Sequence, residues 1–212
     1  MSTVPDTILL DLGGVLIDVD YHASARAFRE LGHANFEQLY SKARQDHLFD
    51  GFEIGALSPG QFRDRIRDLL SPELSDATID ACWNAMLGSI PPARIDLLEQ
   101  LRTRYRLLLL SNTNAIHVRA FNRIILRENG ITDLKELFDG AYYSCEIGLR
   151  KPDREAFLSV LERHEALPAR TLFIDDSPQH VEGARQSGLH AEHLDLTRED
   201  VHGLIKRLGL LS

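Results

Sequence analysis

Apolar residues along this chain follow two different periods. Short unbroken runs at Thr7 to Leu10, Arg106 to Leu110, Gly140 to Ser144 and Thr171 to Ile174 predict strands buried on both faces. Between them, Ile95/Leu98/Leu101, Phe157/Val160/Leu161 and Val181/Ala184 recur at helical spacing. Strands alternating with helices are the pattern of a parallel sheet covered by helices. A weaker run at Leu189 to Leu194 predicts a further strand, and Val201, Leu204, Ile205 and Leu208 a final helix facing inward. The fold class expected is α/β, a doubly wound parallel sheet.

From about Val19 to Ile90 the pattern is helical throughout, which predicts an all-helical insertion after the first strand. Ser58 and Pro59 supply an N-cap and N1 position for a helix with Phe62, Ile66, Leu69 and Leu70 on one face. Ser75 can open another, with Ile79, Cys82, Trp83, Met86 and Leu87 on its apolar face. With the patterns near Ala27/Phe28/Leu31 and Phe36/Leu39, this makes a small bundle of about four helices. Pro91-Pro92 marks the return to the sheet. The division expected is therefore residues 1–18 and 91–212 as a Rossmann-like core and 19–90 as a helical bundle.

Composition narrows what such a fold can do. At 212 residues, 43% hydrophobic and 26% charged, the chain can bury a core of its own. A formal net charge of −8 with scattered basic residues argues against nucleic acid or an anionic membrane as partner. An anionic substrate would need local positive charge. Cys82 and Cys145 form no paired motif, which argues against a disulfide framework or a zinc site. The segment Met1 to Asp6 has no signal-peptide character and no apolar run approaches membrane length, so a soluble, cytoplasmic protein is expected.

Polar residues recur just past the strand ends, where an open α/β sheet places its ligand crevice. Asp11 ends the first run and meets the turn Leu12-Gly13-Gly14, poised to bind metal or attack an electrophile. Ser111-Asn112-Thr113-Asn114 follows the second run and opens a helix, an end that binds anions through its backbone N–H groups. Lys151, in Gly148-Leu149-Arg150-Lys151-Pro152, stands ahead of a helix that Pro152 can open, and its ammonium can hold a phosphoryl oxygen. Asp175-Asp176 closes the fourth run, and paired hard oxygens suit Mg²⁺. Singly, each has a plain alternative: Asp11 as a turn residue, Ser111 or Asn112 as a helix cap, Lys151 as a solvated charge, Asp175-Asp176 as a cap. Their order behind successive strands is what points to one site.

That ordered set resembles the four motifs of the haloacid dehalogenase superfamily: Asp11 to Leu16, Ser111-Asn112, Lys151-Pro152 and Asp175-Asp176. It is most similar to the bacterial branch that includes an α-glucose-1-phosphate phosphatase. The resemblance implies that the 19–90 insertion is a cap over the site. It implies that Asp11 attacks phosphorus to form an aspartyl-phosphate that water hydrolyses. Mg²⁺ would be held by Asp11, the Gly13 carbonyl and Asp176, with Asp175 behind them. Ser111, the Asn112 backbone N–H and Lys151 would take the remaining phosphoryl oxygens. The substrate implied is a small phosphorylated metabolite such as a sugar phosphate.

Two positions depart from the pattern. Most phosphatases of that family place a second aspartate two residues after the nucleophile, to protonate the leaving oxygen; here the residue is Gly13. The chain then acts on good leaving groups, or takes its proton from another residue, or has kept binding without efficient turnover. His180 stands where relatives usually carry Asp or Asn, and either faces solvent from a helix or reaches the outer surroundings of the metal. In the insertion, His47 to Gly55 resembles a Glu-x-Gly segment that such caps present near substrate, so Glu53 or His47 can touch a sugar hydroxyl or supply the acid. The alternative is that Phe49 and Phe52 pack the cap and Glu53 caps a turn. A 2-haloacid dehalogenase and a binding or regulatory protein are the competing functions. The paired aspartates argue against the first, and oligomeric state is left open.

Overall fold

A computed structural model of the chain describes residues 5–32 and 48–211. Five parallel strands form one sheet: β1 (Thr7–Leu10), β2 (Arg106–Ser111), β3 (Gly140–Tyr143), β4 (Thr171–Asp175) and β5 (His190–His193), in the order β3-β2-β1-β4-β5. The chain runs outward from β1 through β2 to β3, then returns beside β1 as β4. The sheet therefore changes direction between β1 and β4, where the open crevice of a doubly wound fold lies.

The buried runs are apolar at every position because both faces of the sheet are covered. Ile8, Leu10, Leu107 and Leu109 point to one side, packing with α5 (Pro92–Arg102), α6 (Ala115–Asn129) and α10 (Val201–Arg207). Leu9, Leu108, Leu110 and Phe173 point to the other, against α8 (Arg154–Arg163) and α9 (Pro178–Gln186). A short helix, α7 (Ser144–Ile147), follows β3. The fold class is as the sequence predicts. Pro152 does not open α8, which begins two residues later with Asp153 as its N-cap.

Among the described residues of 19–90, four helices gather around a separate aromatic core: α1 (Ala23–Glu30), α2 (Leu48–Glu53), α3 (Pro59–Leu69) and α4 (Asp76–Asn84). Ser58 makes a full capping box with Gln61, and Ser75 accepts from Thr78 N–H, so the two predicted starts hold. Phe52 stacks on Phe62 at 4.2 Å, and Phe49 on Trp83 at 5.3 Å. The pattern at Phe36 and Leu39 lies outside the described residues. The α4 pattern runs on too far in sequence: the helix ends at Asn84, and Met86 and Leu87 line a cavity.

Two strands of backbone connect bundle and core side by side. Asp20 N–H donates to Met86 C=O, Gly88 N–H to Asp18 C=O and Asp18 N–H to Ser89 C=O. A Cβ on Gly88 would stand 2.9 Å from the Asp18 carbonyl oxygen, so a glycine is what lets the connectors lie this close. The bundle also docks on α6. The Trp83 ring stacks on His117 at 5.3 Å with planes 2° apart, its indole N–H donates to Asn114 Oδ1, and Ile116 joins the aromatic core.

Candidate active site

The strand ends bring the singled-out residues together. Asp11 N–H donates to Ile174 C=O, which sets the end of β1 against the end of β4 and places Asp11 beside Asp175. Lys151 Nζ lies 2.5 Å from Asp11 Oδ1 and 2.7 Å from Asp175 Oδ2. Lysine and both carboxylates are buried, and Asp175 is held further by Ser177 N–H and by His180 Nδ1, 3.1 Å away. Lys151 is thus no solvated charge, and Asp175 caps nothing at the surface. His180 does not point away into solvent: it pairs with Asp175 and lines the cavity.

The Asn112 side chain has a role of its own. Its side-chain amide donates to Lys151 C=O and accepts from Lys151 N–H, so it fixes the backbone that presents the ammonium. The helix cap is neither Ser111 nor Asn112 but Asn114, whose Oδ1 accepts from Ile116 and His117 N–H. Thr113 is tied by both backbone groups to the Ser144 hydroxyl. These bonds hold the β2 exit rigid beneath the site.

Gly13 and Gly14 differ physically. Gly14 has φ +72°, and a Cβ there would collide with the Asp176 carboxylate. Glycine at 14 is therefore required for the turn and for the approach of Asp176. At Gly13 an added Cβ would meet only Tyr21 Oη and Val19 Cγ2, each at 3.5 Å, so a side chain fits there.

Burial pushes the Asp11 carboxyl up to about 6 while the Lys151 ammonium pulls the other way. Burial also acts against charge on Asp175, but Lys151 and then His180 outweigh it and hold that carboxyl below its usual range. Burial opposes the Lys151 charge too, and Asp11 and Asp175 more than restore it. Asp176 is raised by burial and by Asp175. Carboxylate oxygens of Asp11, Asp175 and Asp176 lie within 4.8 Å of one another. Three acids against one ammonium leave uncompensated negative charge in a partly buried place, the donor set that a hard dication fits.

A cavity of about 470 Å³ opens over this cluster, in the range of small-metabolite sites. Asp11, Gly13, Ser111, Asn112 and Asp176 form its floor, and Glu53 reaches in from α2. In the α2 segment Phe52 is buried in the bundle, while Glu53 faces the cavity. Glu53 Oε2 faces Arg150 Nη2 across 3.1 Å without a well-aligned hydrogen bond, and Arg150 also pairs with Asp50. Burial raises the Glu53 carboxyl, with Arg150 opposing. His47 lies outside the described residues. Sequence reasoning gave no role to Tyr21, Arg150 or His117, which also line the cavity. Tyr21 belongs to no periodic pattern, and its one signal is its position just after the Asp11 turn.

A carboxylate just past β1, a hydroxyl ending β2, a buried lysine and paired carboxylates at the end of β4, gathered at the crevice of a doubly wound sheet, define a class of hydrolase. A family profile described as haloacid dehalogenase-like hydrolase matches residues 5–188, and the chain belongs to that family. It is 29% identical over 181 residues to D-ribitol-5-phosphate phosphatase of Bacteroides thetaiotaomicron, covering 85% of this chain and 87% of that one. A HAD family enzyme from Bacteroides thetaiotaomicron, solved in complex with magnesium and inorganic phosphate, matches with a TM-score of 0.83 at 35% identity, over 94% of this chain and 98% of that one. A predicted HAD-like family hydrolase from Porphyromonas gingivalis matches with a TM-score of 0.86 at 32% identity, over 97% and 98% of the two chains. Among the described residues no helix is long and apolar enough to cross a membrane.

Proposed function

We propose that this chain is a Mg²⁺-dependent phosphomonoesterase that hydrolyses a small phosphorylated metabolite, of the sugar or polyol phosphate class, through an aspartyl-phosphate on Asp11. The observation that carries this reading is the meeting of Asp11 and Asp176 on the wall of one cavity, with the buried Lys151 paired to Asp11 behind it. Relatives named as phosphatases and the magnesium and phosphate complex of a similar enzyme support it. The residues that would hold Mg²⁺ are Asp11, Asp176 and the Gly13 carbonyl, with Asp175 keeping Lys151 in place. When bound, the dication offsets the repulsion between a carboxylate and a phosphate dianion.

Asp11 presents its carboxylate from a rigid strand end, so the attacking oxygen is positioned before substrate arrives. Lys151 and the Ser111 hydroxyl take non-bridging phosphoryl oxygens as charge spreads in the transition state. Asn112 supplies its backbone N–H there while its side chain braces Lys151. Glu53 accepts hydrogen bonds from substrate hydroxyls at the far wall, which favours a polyhydroxylated leaving group. The cluster of three carboxylates disfavours a 2-haloacid dehalogenase, whose reaction needs no metal.

The test is a screen of sugar and polyol phosphates with Mg²⁺, run beside Asp11→Asn and beside wild type in chelator. Turnover lost in both controls is the result expected. Halide release that ignores chelator, or equal phosphatase rates for wild type and Asp11→Asn, would overturn the reading; the second outcome is what a regulatory protein predicts.

A further inference from the structure

The phosphatase reading leaves open which group meets the leaving oxygen in a chain with glycine two residues past its nucleophile. We propose that the Tyr21 hydroxyl fills the place of the side chain that Gly13 lacks and donates a hydrogen bond to the departing ester oxygen of the substrate. The inference rests on the phosphatase reading and deepens it.

Position is the first support. A side chain on residue 13 would start 3.5 Å from Tyr21 Oη, so the phenol ends where a side chain from that turn would enter the cavity. Tyr21 lines the same cavity as Asp11, Ser111 and Asp176. Orientation is the second. As a residue Tyr21 is 61% exposed, yet its hydroxyl end lies at the Gly13 turn, in the cavity that Asp11, Asp176 and Glu53 also line. An aromatic ring that keeps its flank in water and turns its polar tip toward acids is not serving as core. Availability is the third: among the described residues the Tyr21 hydroxyl has no hydrogen-bond partner, although its neighbours are pinned. Asp20 N–H donates to Met86 C=O, and the Asp20 carboxylate accepts from His22 N–H and Arg26. The backbone is thus fixed on the connector while the hydroxyl stays free for a ligand.

The chemistry needs only a neutral donor. When Asp11 attacks, the ester P–O bond breaks and its electron pair stays on the leaving oxygen, which then takes a proton from water. A hydroxyl aimed at that oxygen strengthens its bond as charge develops, so it lowers the barrier more than it tightens substrate binding. A phenol, whose ordinary value is about 10, carries its proton at neutral pH, which preserves the donor.

The experiment measures kcat and KM for wild type, Tyr21→Phe, Gly13→Asp and the double variant, with Mg²⁺, on phosphate monoesters running from alkyl to p-nitrophenyl. Tyr21→Phe is expected to lower kcat on alkyl phosphates about tenfold to a hundredfold. The loss on the aryl ester is expected to be several-fold smaller and KM to change little. With Gly13→Asp present, Tyr21→Phe should cost far less, because the new carboxyl takes the same place. A uniform loss along the series, no loss, or full additivity of the two substitutions would overturn the inference. If Asp11→Asn is as active as wild type, the phosphatase reading fails first and this inference falls with it.

Discussion

The Asn112 side chain grips the backbone of Lys151, a residue 39 positions further along the chain, accepting from its N–H at 2.9 Å and donating to its C=O at 2.8 Å. The exit of β2 therefore sets where the ammonium stands, and phosphate-binding groups from two strands move as one piece. Replacing Asn112 with Ala removes both bonds, each worth about 0.5–1.5 kcal/mol. The expected result is a loss of stability of about 1–3 kcal/mol in urea titration and a drop in kcat beyond what the melting temperature explains. Asn112→Asp should be worse than Ala for turnover, since one carboxylate oxygen would face the Lys151 carbonyl.

Lys151 is the only cation buried between Asp11 and Asp175 among the described residues. Lys151→Met should leave two carboxylates uncompensated, at a cost of about 3–5 kcal/mol. The deficit should shrink as pH falls toward 5, because Asp11, already raised by burial, then protonates more readily. Chemical denaturation at pH 7.5 and pH 5 checks both statements; an equal deficit at the two values would contradict the second.

His117 gives a stability change of opposite origin. Burial pushes its imidazole down to about 3, while the unfolded chain carries it near the ordinary value of about 6.5. Between those values only the unfolded state takes up the proton. Stability should therefore be complete above pH 6.5 and fall by roughly 1.4 kcal/mol per pH unit below it, from this residue alone. His117→Gln can still meet Asn84, which lies 2.9 Å from Nδ1. The slope of unfolding free energy against pH between 6.5 and 4.5 should be shallower in that variant by about this amount.

Gly14 and Gly13 should respond differently to the same substitution. At Gly14 the left-handed backbone and the Asp176 carboxylate make alanine cost about 1–3 kcal/mol. Gly13→Ala should stay within about 1 kcal/mol of wild type. Paired melting curves decide it, and equal losses at the two positions would count against the geometry of the turn.

Mg²⁺ should stabilise the fold as well as support turnover. At a hundred times its dissociation constant a ligand adds about 2.7 kcal/mol. The melting temperature of wild type should rise with Mg²⁺, and Asp176→Asn should abolish most of that rise. An undiminished rise would remove Asp176 from the metal site.

Much of this was legible along the chain because local physics dictates it. Short apolar runs such as Leu107 to Leu110, bounded by polar turns, read as strands covered on both faces, and the ends of such strands in an open α/β sheet face its crevice. Asp11, Ser111 and Asp175 were placed by that rule alone, and Ser58 and Ser75 by the chemistry of helix caps. Other features escaped for equally physical reasons. The helix Leu48–Glu53 is six residues long with a glycine inside it, too short to show a period. The pattern at Met86 and Leu87 continued a helical stripe past a helix that ends at Asn84, since apolar spacing does not distinguish a bundle core from a cavity wall.

The sequence by itself determined the parallel sheet, the described helices between β1 and β2 and the set of residue types that can carry phosphoryl chemistry, because burial periodicity and turn composition act over a few neighbouring positions. Only the tertiary structure decided that Lys151 is buried between two aspartates, that Trp83 seats the helical bundle on His117, and that Tyr21 ends beside Gly13. The first two join residues separated by long stretches of chain, and the third depends on how the connector after the Asp11 turn folds back. The packing of β1 against β4, and of the bundle against α6, sets their distances, and periodicity along a sequence carries no measure of distance across a fold.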